Sequence, residues 1–254
     1  MHALLRRVAS LAAALGFALG ATGGGRAAGF QFSPVRVNLT ARDRVGTITL
    51  TNPDDAPLRL EVQAFHWTER VDGRAVLDAS DALLVFPQLL TIPPHGQGSL
   101  RVTTTDPLGA REATYKVSIT EIGSFATARR GGAGVVLRMQ ANLPVFIAPT
   151  VERRAGAIIG ASVRNRTLTF AVANAGTVHF VTKDVRVTGI GPDTRPLFSQ
   201  ELDGGDVLAD GKREYRVNLP RKQCGALRAL TIHLNADDQQ LIQTLDVPAG
   251  ACNP

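Results

Sequence analysis

From residue 135 to residue 147 every odd position is apolar: Val135, Leu137, Met139, Ala141, Leu143, Val145 and Ile147. The even positions include Arg138, Gln140, Asn142 and Pro144. A period of two means one buried and one wetter face, so the segment predicts a β-strand. Strands usually run about 5–6 residues, so one of this length outlasts an ordinary sheet. Pro144 has no N–H to give a ladder, which places the strand at an edge on at least one side. A long apolar edge is a template for pairing unless something is meant to pair with it. Two readings stand: a core strand that frays at its proline, or a strand lent to another protein.

Shorter segments of the same kind recur before it. Leu58, Leu60, Val62 and Ala64 alternate with Arg59, Glu61 and Gln63. Leu100 and Val102 alternate with Arg101 and Thr103, and Tyr115, Val117 and Ile119 with Lys116, Ser118 and Thr120. Turn residues lie between them, as in Asn52-Pro-Asp-Asp55 and Pro93-Pro-His-Gly96. The pattern restarts after Pro149, with strands expected over 167–173, 178–188, 213–218, 227–235 and 240–247. No stretch has a capped 3.6-residue period. The chain therefore reads as all-β, two antiparallel sandwiches over 30–148 and 151–254. The join at Ala148-Pro149-Thr150 is short, which implies a fixed angle between them.

Residues 1–28 read as a secretory signal: Arg6-Arg7, an apolar run from Val8 to about Ala21, then small residues. Cleavage after Gly20, Ala28 or Gly29 fits equally well. Removing 1–28 takes away three arginines and no acid, so Lys+Arg falls from 28 to 25 against 22 Asp+Glu and the net charge from +6 to +3. That modest balance, with few aromatics and no basic run, argues against nucleic acid as a partner. No later apolar run is long enough for stable membrane insertion. Cys224 and Cys252 are the only cysteines, an even count in an exported chain, so they are expected to pair. The motifs of the common hydrolases and nucleotide-binding loops are missing, and the histidines lack ligand spacing. No catalytic residue, metal or cofactor is expected.

The order of segments resembles the periplasmic chaperones of chaperone–usher pilus assembly, the PapD-like family. The resemblance rests on Phe32-Ser-Pro-Val-Arg-Val-Asn-Leu39, Val62-Gln-Ala-Phe-His-Trp67 and Phe86-Pro-Gln-Leu-Leu-Thr-Ile-Pro-Pro-His-Gly96, with Tyr115-Lys-Val-Ser-Ile-Thr-Glu-Ile122 and the strand ending Leu143-Pro-Val-Phe-Ile-Ala-Pro149. The Tyr-x-Val-Ser-Ile and Pro-Val-Phe wording resembles the archaic branch more than the family's best-known members. The resemblance implies that both sandwiches are immunoglobulin-like. It implies a chaperone that lends its first-domain edge strand to an incomplete pilus or fimbrial subunit and passes it to an outer-membrane usher. It implies Val135, Leu137, Met139, Ala141 and Leu143 as donor side chains and Arg36 as the anchor for the subunit's terminal carboxylate. Better-known members place a lysine where this chain has Pro144; Lys116 is the candidate replacement. Glu121 matches an acid of the family's interdomain ionic network, with Arg153 or Arg154 as partner. The competing readings are a secreted two-domain adhesin or structural interaction protein, an exported hydrolase, and a pilus subunit.

Overall fold

The computed structural model describes residues 29–123 and 138–252. The first strands are β1 (Gln31–Ser33), β2 (Val37–Leu39), β3 (Val45–Thr51), β4 (Leu58–Glu69) and β5 (Ala75–Ala79). They are followed by β6 (Leu83–Phe86), β7 (Leu89–Ile92), β8 (Gln97–Thr104), β9 (Ala113–Glu121) and β10 (Gln140–Ile147). These ten make two facing sheets, β1-β3-β8-β6 and β2-β10-β9-β4-β5, with β7 also on β4. The alternation read from the sequence decides which side chains meet between them. Leu58, Leu60 and Val62 of β4 and Tyr115, Val117 and Ile119 of β9 are buried against Ile48, Leu50, Leu100 and Val102. A Cβ on Gly46 would collide with Val37 Cγ1, so this glycine lets β2 seat closely over the opposite sheet.

The second sandwich contains β11 (Gly156–Arg164), β12 (Thr167–Asn174), β13 (Phe180–Ile190), β14 (Pro196–Leu202), β15 (Gly205–Val207) and β16 (Lys212–Asn218). A one-turn helix, α1 (Arg221–Cys224), precedes β17 (Ala229–Ala236) and β18 (Gln239–Asp246). Its sheets are β11-β12-β16 and β14-β13-β17-β18, with β15 on β13. Three of these strands escaped the sequence reading. In β11 the alternation breaks at Gly160, whose φ of 64° accompanies a register shift between Ile159 and Ser162. β14 is an edge strand of mostly exposed residues, so it carries little apolar signal, and β15 is three residues long. Cys224 and Cys252 are disulfide-bonded, tying α1 to the chain beyond β18.

The sandwiches are held together by a small apolar joint and a set of backbone bonds. Trp67 and Phe146 from the first pack with Leu208 of the second, and Leu77 lies against them. Glu112 N–H donates to the Thr177 carbonyl at 2.9 Å, and Glu214 N–H to the Val71 carbonyl at 2.7 Å. Arg111 pairs with Asp210 at 2.5 Å. The connecting segment is itself pinned: Thr177 Oγ1 donates to the Val151 carbonyl and accepts from Arg153 N–H. These contacts fix the angle that the short join implies.

Candidate partner-binding face

β10 is covered unequally on its two sides. β9 pairs with it antiparallel along its whole length, from Gln140 opposite Thr120 to Ile147 opposite Ala113. On the other side β2 pairs only with Val145, Phe146 and Ile147. Among the described residues, 140–144 therefore have one open edge, as Pro144 required. The Glu121 N–H donates to the Met139 carbonyl at 2.9 Å, so odd residues turn their backbone groups toward β9. Even residues turn theirs the other way, since backbone groups alternate sides along a strand. The outward groups of Arg138, Gln140 and Asn142 thus line the open edge, and Pro144 ends the run of donors where β2 begins.

The side chains expected to be lent divide into two sets. Leu143 is fully buried in the first sandwich's own core, while Met139 and Ala141 are partly buried against it. A side chain already committed to this core is not free to fill another, so Leu143 leaves the donor set. Val135 and Leu137 lie outside the described residues.

Arg36 and Lys116 flank the proline. Lys116 is the cross-strand partner of Pro144, and Arg36 immediately precedes the Val37–Val145 pair on the far side. They sit one strand to either side of Pro144, roughly 10 Å apart at the backbone from the spacing of two strands. Residues opposite one another share a face of the sheet, so the proline lies between two cations on one face. Both side chains lean toward the joint: the Arg36 guanidinium lies 5.1 Å from the Phe146 ring centre, and Lys116 Nζ 4.0 Å from that of Trp67. These rings are neighbours, with centres 5.8 Å apart. A cation over an aromatic face is attracted by the negative face of the ring.

The charges around Lys116 come from both sandwiches. Burial lowers the Lys116 pKa, against the opposing pull of Asp206 and Glu69. Glu69 is pushed up to about 7, first by burial and then by Asp206, with Arg213 and Lys116 acting the other way. Asp206 Oδ1 is buried with no hydrogen-bond partner among the described residues. On the Arg36 side, His179 stacks on Phe146 with ring centres 3.7 Å apart. Its Nδ1 lies 2.6 Å from Glu112 Oε2 and its Nε2 3.3 Å from Arg36 Nη1.

Glu121 is a correction. It closes β9 opposite Leu60, at the end remote from the second sandwich. At about 3.3 Å per residue it lies roughly 30 Å along the strand from Glu112, which does reach across the joint. Arg153 donates to the Ala175 carbonyl and Arg154 pairs with Asp237 and Asp238. Neither meets Glu121. The interdomain residues Glu112, His179, Asp206 and Arg213 carry no local sequence signal, because each acquires its partners only through tertiary contact.

Residues 29–151 match the family described as pili and flagellar-assembly chaperone, PapD N-terminal domain. No curated protein matches the sequence. Among solved structures, the class 5 fimbriae chaperone CfaA is similar at 14% identity and a TM-score of 0.57, over 87% of this chain and 100% of its own. A chain of the CsuC–CsuE chaperone–tip adhesion subunit complex, from the archaic Csu pili of Acinetobacter baumannii, matches at 14% identity and 0.58, over 85% and 98%. The Pseudomonas aeruginosa CupB2 chaperone matches at 15% identity and 0.52, over 86% and 100%. At such identities the likeness carries the fold, two immunoglobulin-like sandwiches, and archaic and class 5 chaperones fit it equally. The first sandwich, residues 29–151, thus matches the PapD N-terminal domain family of pilus-assembly chaperones, within a two-sandwich fold shared along nearly the whole length of these chaperone structures.

Proposed function

We propose that the protein is a periplasmic chaperone that binds an incomplete pilus or fimbrial subunit by lending it the open edge of β10 and the residues that lead into it, and delivers it to an outer-membrane usher. Residues 1–28 serve as the export signal in this reading. The observation that carries it is the open edge of β10 ending at Pro144, with Arg36 and Lys116 on either side. An extended subunit segment adds to that edge through main-chain bonds, and the apolar odd positions upstream of Leu143 fill its groove. Met139 suits this role, since a flexible thioether adapts to different pockets. The two cations receive the subunit's terminal carboxylate and thereby set the register of the added strand. A guanidinium grips both oxygens and stays charged when water is excluded.

The test is capture from the periplasm. Tagged protein should co-purify with a subunit whose chain ends in a free carboxylate close to Pro144. Truncating one partner of a desolvated charge pair costs about 2–5 kcal/mol, so Arg36→Ala should weaken capture by well over tenfold. Normal capture by a folded Arg36→Ala protein would remove the anchor from this account.

A further inference from the structure

We propose that His179, carried by the second sandwich, is a positioning residue for Arg36: it holds the Glu112 carboxylate off the guanidinium and so keeps Arg36 open to an incoming carboxylate. The inference rests on the reading of Arg36 as a carboxylate anchor.

Arg36, Glu112, Phe146 and His179 line one cavity of about 320 Å³ between the sandwiches. Glu112 and His179 are deeply buried there, their side chains 6% and 11% exposed. An acid and an arginine sharing a small cavity ordinarily pair, and such a pair would occupy the donors that a ligand needs. Here they do not touch. Glu112 Oε2 accepts from His179 N–H at 2.9 Å and from His179 Nδ1–H at 2.6 Å. Arginine can only donate, so the contact of Arg36 Nη1 with His179 Nε2 at 3.3 Å makes that nitrogen the acceptor. The imidazole is thus interposed, with its proton on Nδ1. It satisfies the buried acid on one side and uses a single guanidinium N–H on the other. The stack on Phe146 fixes the ring in this orientation, and the remaining N–H groups of Arg36 are left for a ligand.

The test measures how strongly the full mature protein prefers a peptide acid over its amide. The probe is a synthetic peptide copying the C-terminus of the co-purified subunit. The wild type should prefer the acid by more than about tenfold, and His179→Phe, which keeps a ring on Phe146 but loses both nitrogens, should bring the two within about threefold. Restoration of the preference in His179→Phe/Glu112→Gln is the specific expectation, because the released acid that would occupy Arg36 has been removed. His179→Gln, which can both donate and accept, should retain most of it. His179→Leu replaces the phenylalanine variant if thermal melting shows that variant unfolded. No acid preference in the wild type would sink the anchor reading and this inference with it. Preference in the wild type that persists in a folded His179→Phe, or is not regained in the double variant, would overturn this inference alone.

Discussion

Removing the Phe146 ring should loosen the joint between the sandwiches more than it harms either one. Phe146 is 2% exposed, and its contacts are Trp67 at 5.8 Å, the stacked His179 at 3.7 Å and the Arg36 guanidinium at 5.1 Å. Truncating a buried phenylalanine to alanine costs about 3–5 kcal/mol through lost transfer and the cavity left behind. Among the described residues, the buried members of the apolar joint are Trp67, Phe146 and Leu208. Backbone bonds across it, such as Glu112 to Thr177, contribute about 1 kcal/mol each and cannot replace the ring. On a cooperative unit of this size the loss corresponds to roughly 6–20 °C in melting temperature. Scanning calorimetry of Phe146→Ala should show that fall together with a broadened or divided transition, as the sandwiches melt apart. Leu60→Ala, in the core of the first sandwich, should lower stability without changing how the two are coupled. A Phe146→Ala protein that melts in one transition within a few degrees of the wild type would refute the rigid joint.

Other consequences follow from the same contacts. Replacing Cys224 and Cys252 by alanine opens a bond of sequence separation 28, and chain entropy puts the loss at roughly 3–4 kcal/mol in denaturant titration, confined to the second sandwich. Glu69 has its pKa raised from 4.5 to about 7, so between those values the folded state holds a proton that the unfolded state has released. Stability should fall as the pH rises through that window, and Glu69→Gln should flatten the dependence of melting temperature on pH; an unchanged slope would discount Glu69. Lys116→Ala should reduce capture alongside Arg36→Ala only if both cations meet one carboxylate, which a double-mutant cycle on peptide affinity reads as coupling.

The sequence made legible what depends on local alternation. Leu58, Leu60 and Val62 announce β4, Tyr115, Val117 and Ile119 announce β9, and Pro144 announces an edge, because burial on one face of a strand writes a period of two into the chain. Arg36 and Lys116 stand out in the sequence only through a family resemblance, and their placement on either side of Pro144 comes from strand pairing. Direction and tertiary partnership leave no such record. Glu121 and Glu112 bracket the same strand, and only the placement of the second sandwich shows that Glu112 meets it. His179 follows Val178 with nothing to distinguish it from His66 or His233, and its bonds to Glu112 and Arg36 span 67 and 143 residues of chain. The break at Gly160 hid β11 for the opposite reason, since a local bulge erased a signal that the strand otherwise carries.

Backbone hydrogen exchange along β10, with and without the co-purified subunit, tests the strand loan most directly. In the protein alone, Ala141 and Leu143 should be protected by β9, while Arg138, Gln140 and Asn142 exchange rapidly from the open edge. In the complex the amides of 138, 140 and 142 should become protected and those of 141 and 143 remain so. A complex in which the subunit is bound but the even-numbered amides still exchange freely would contradict the account.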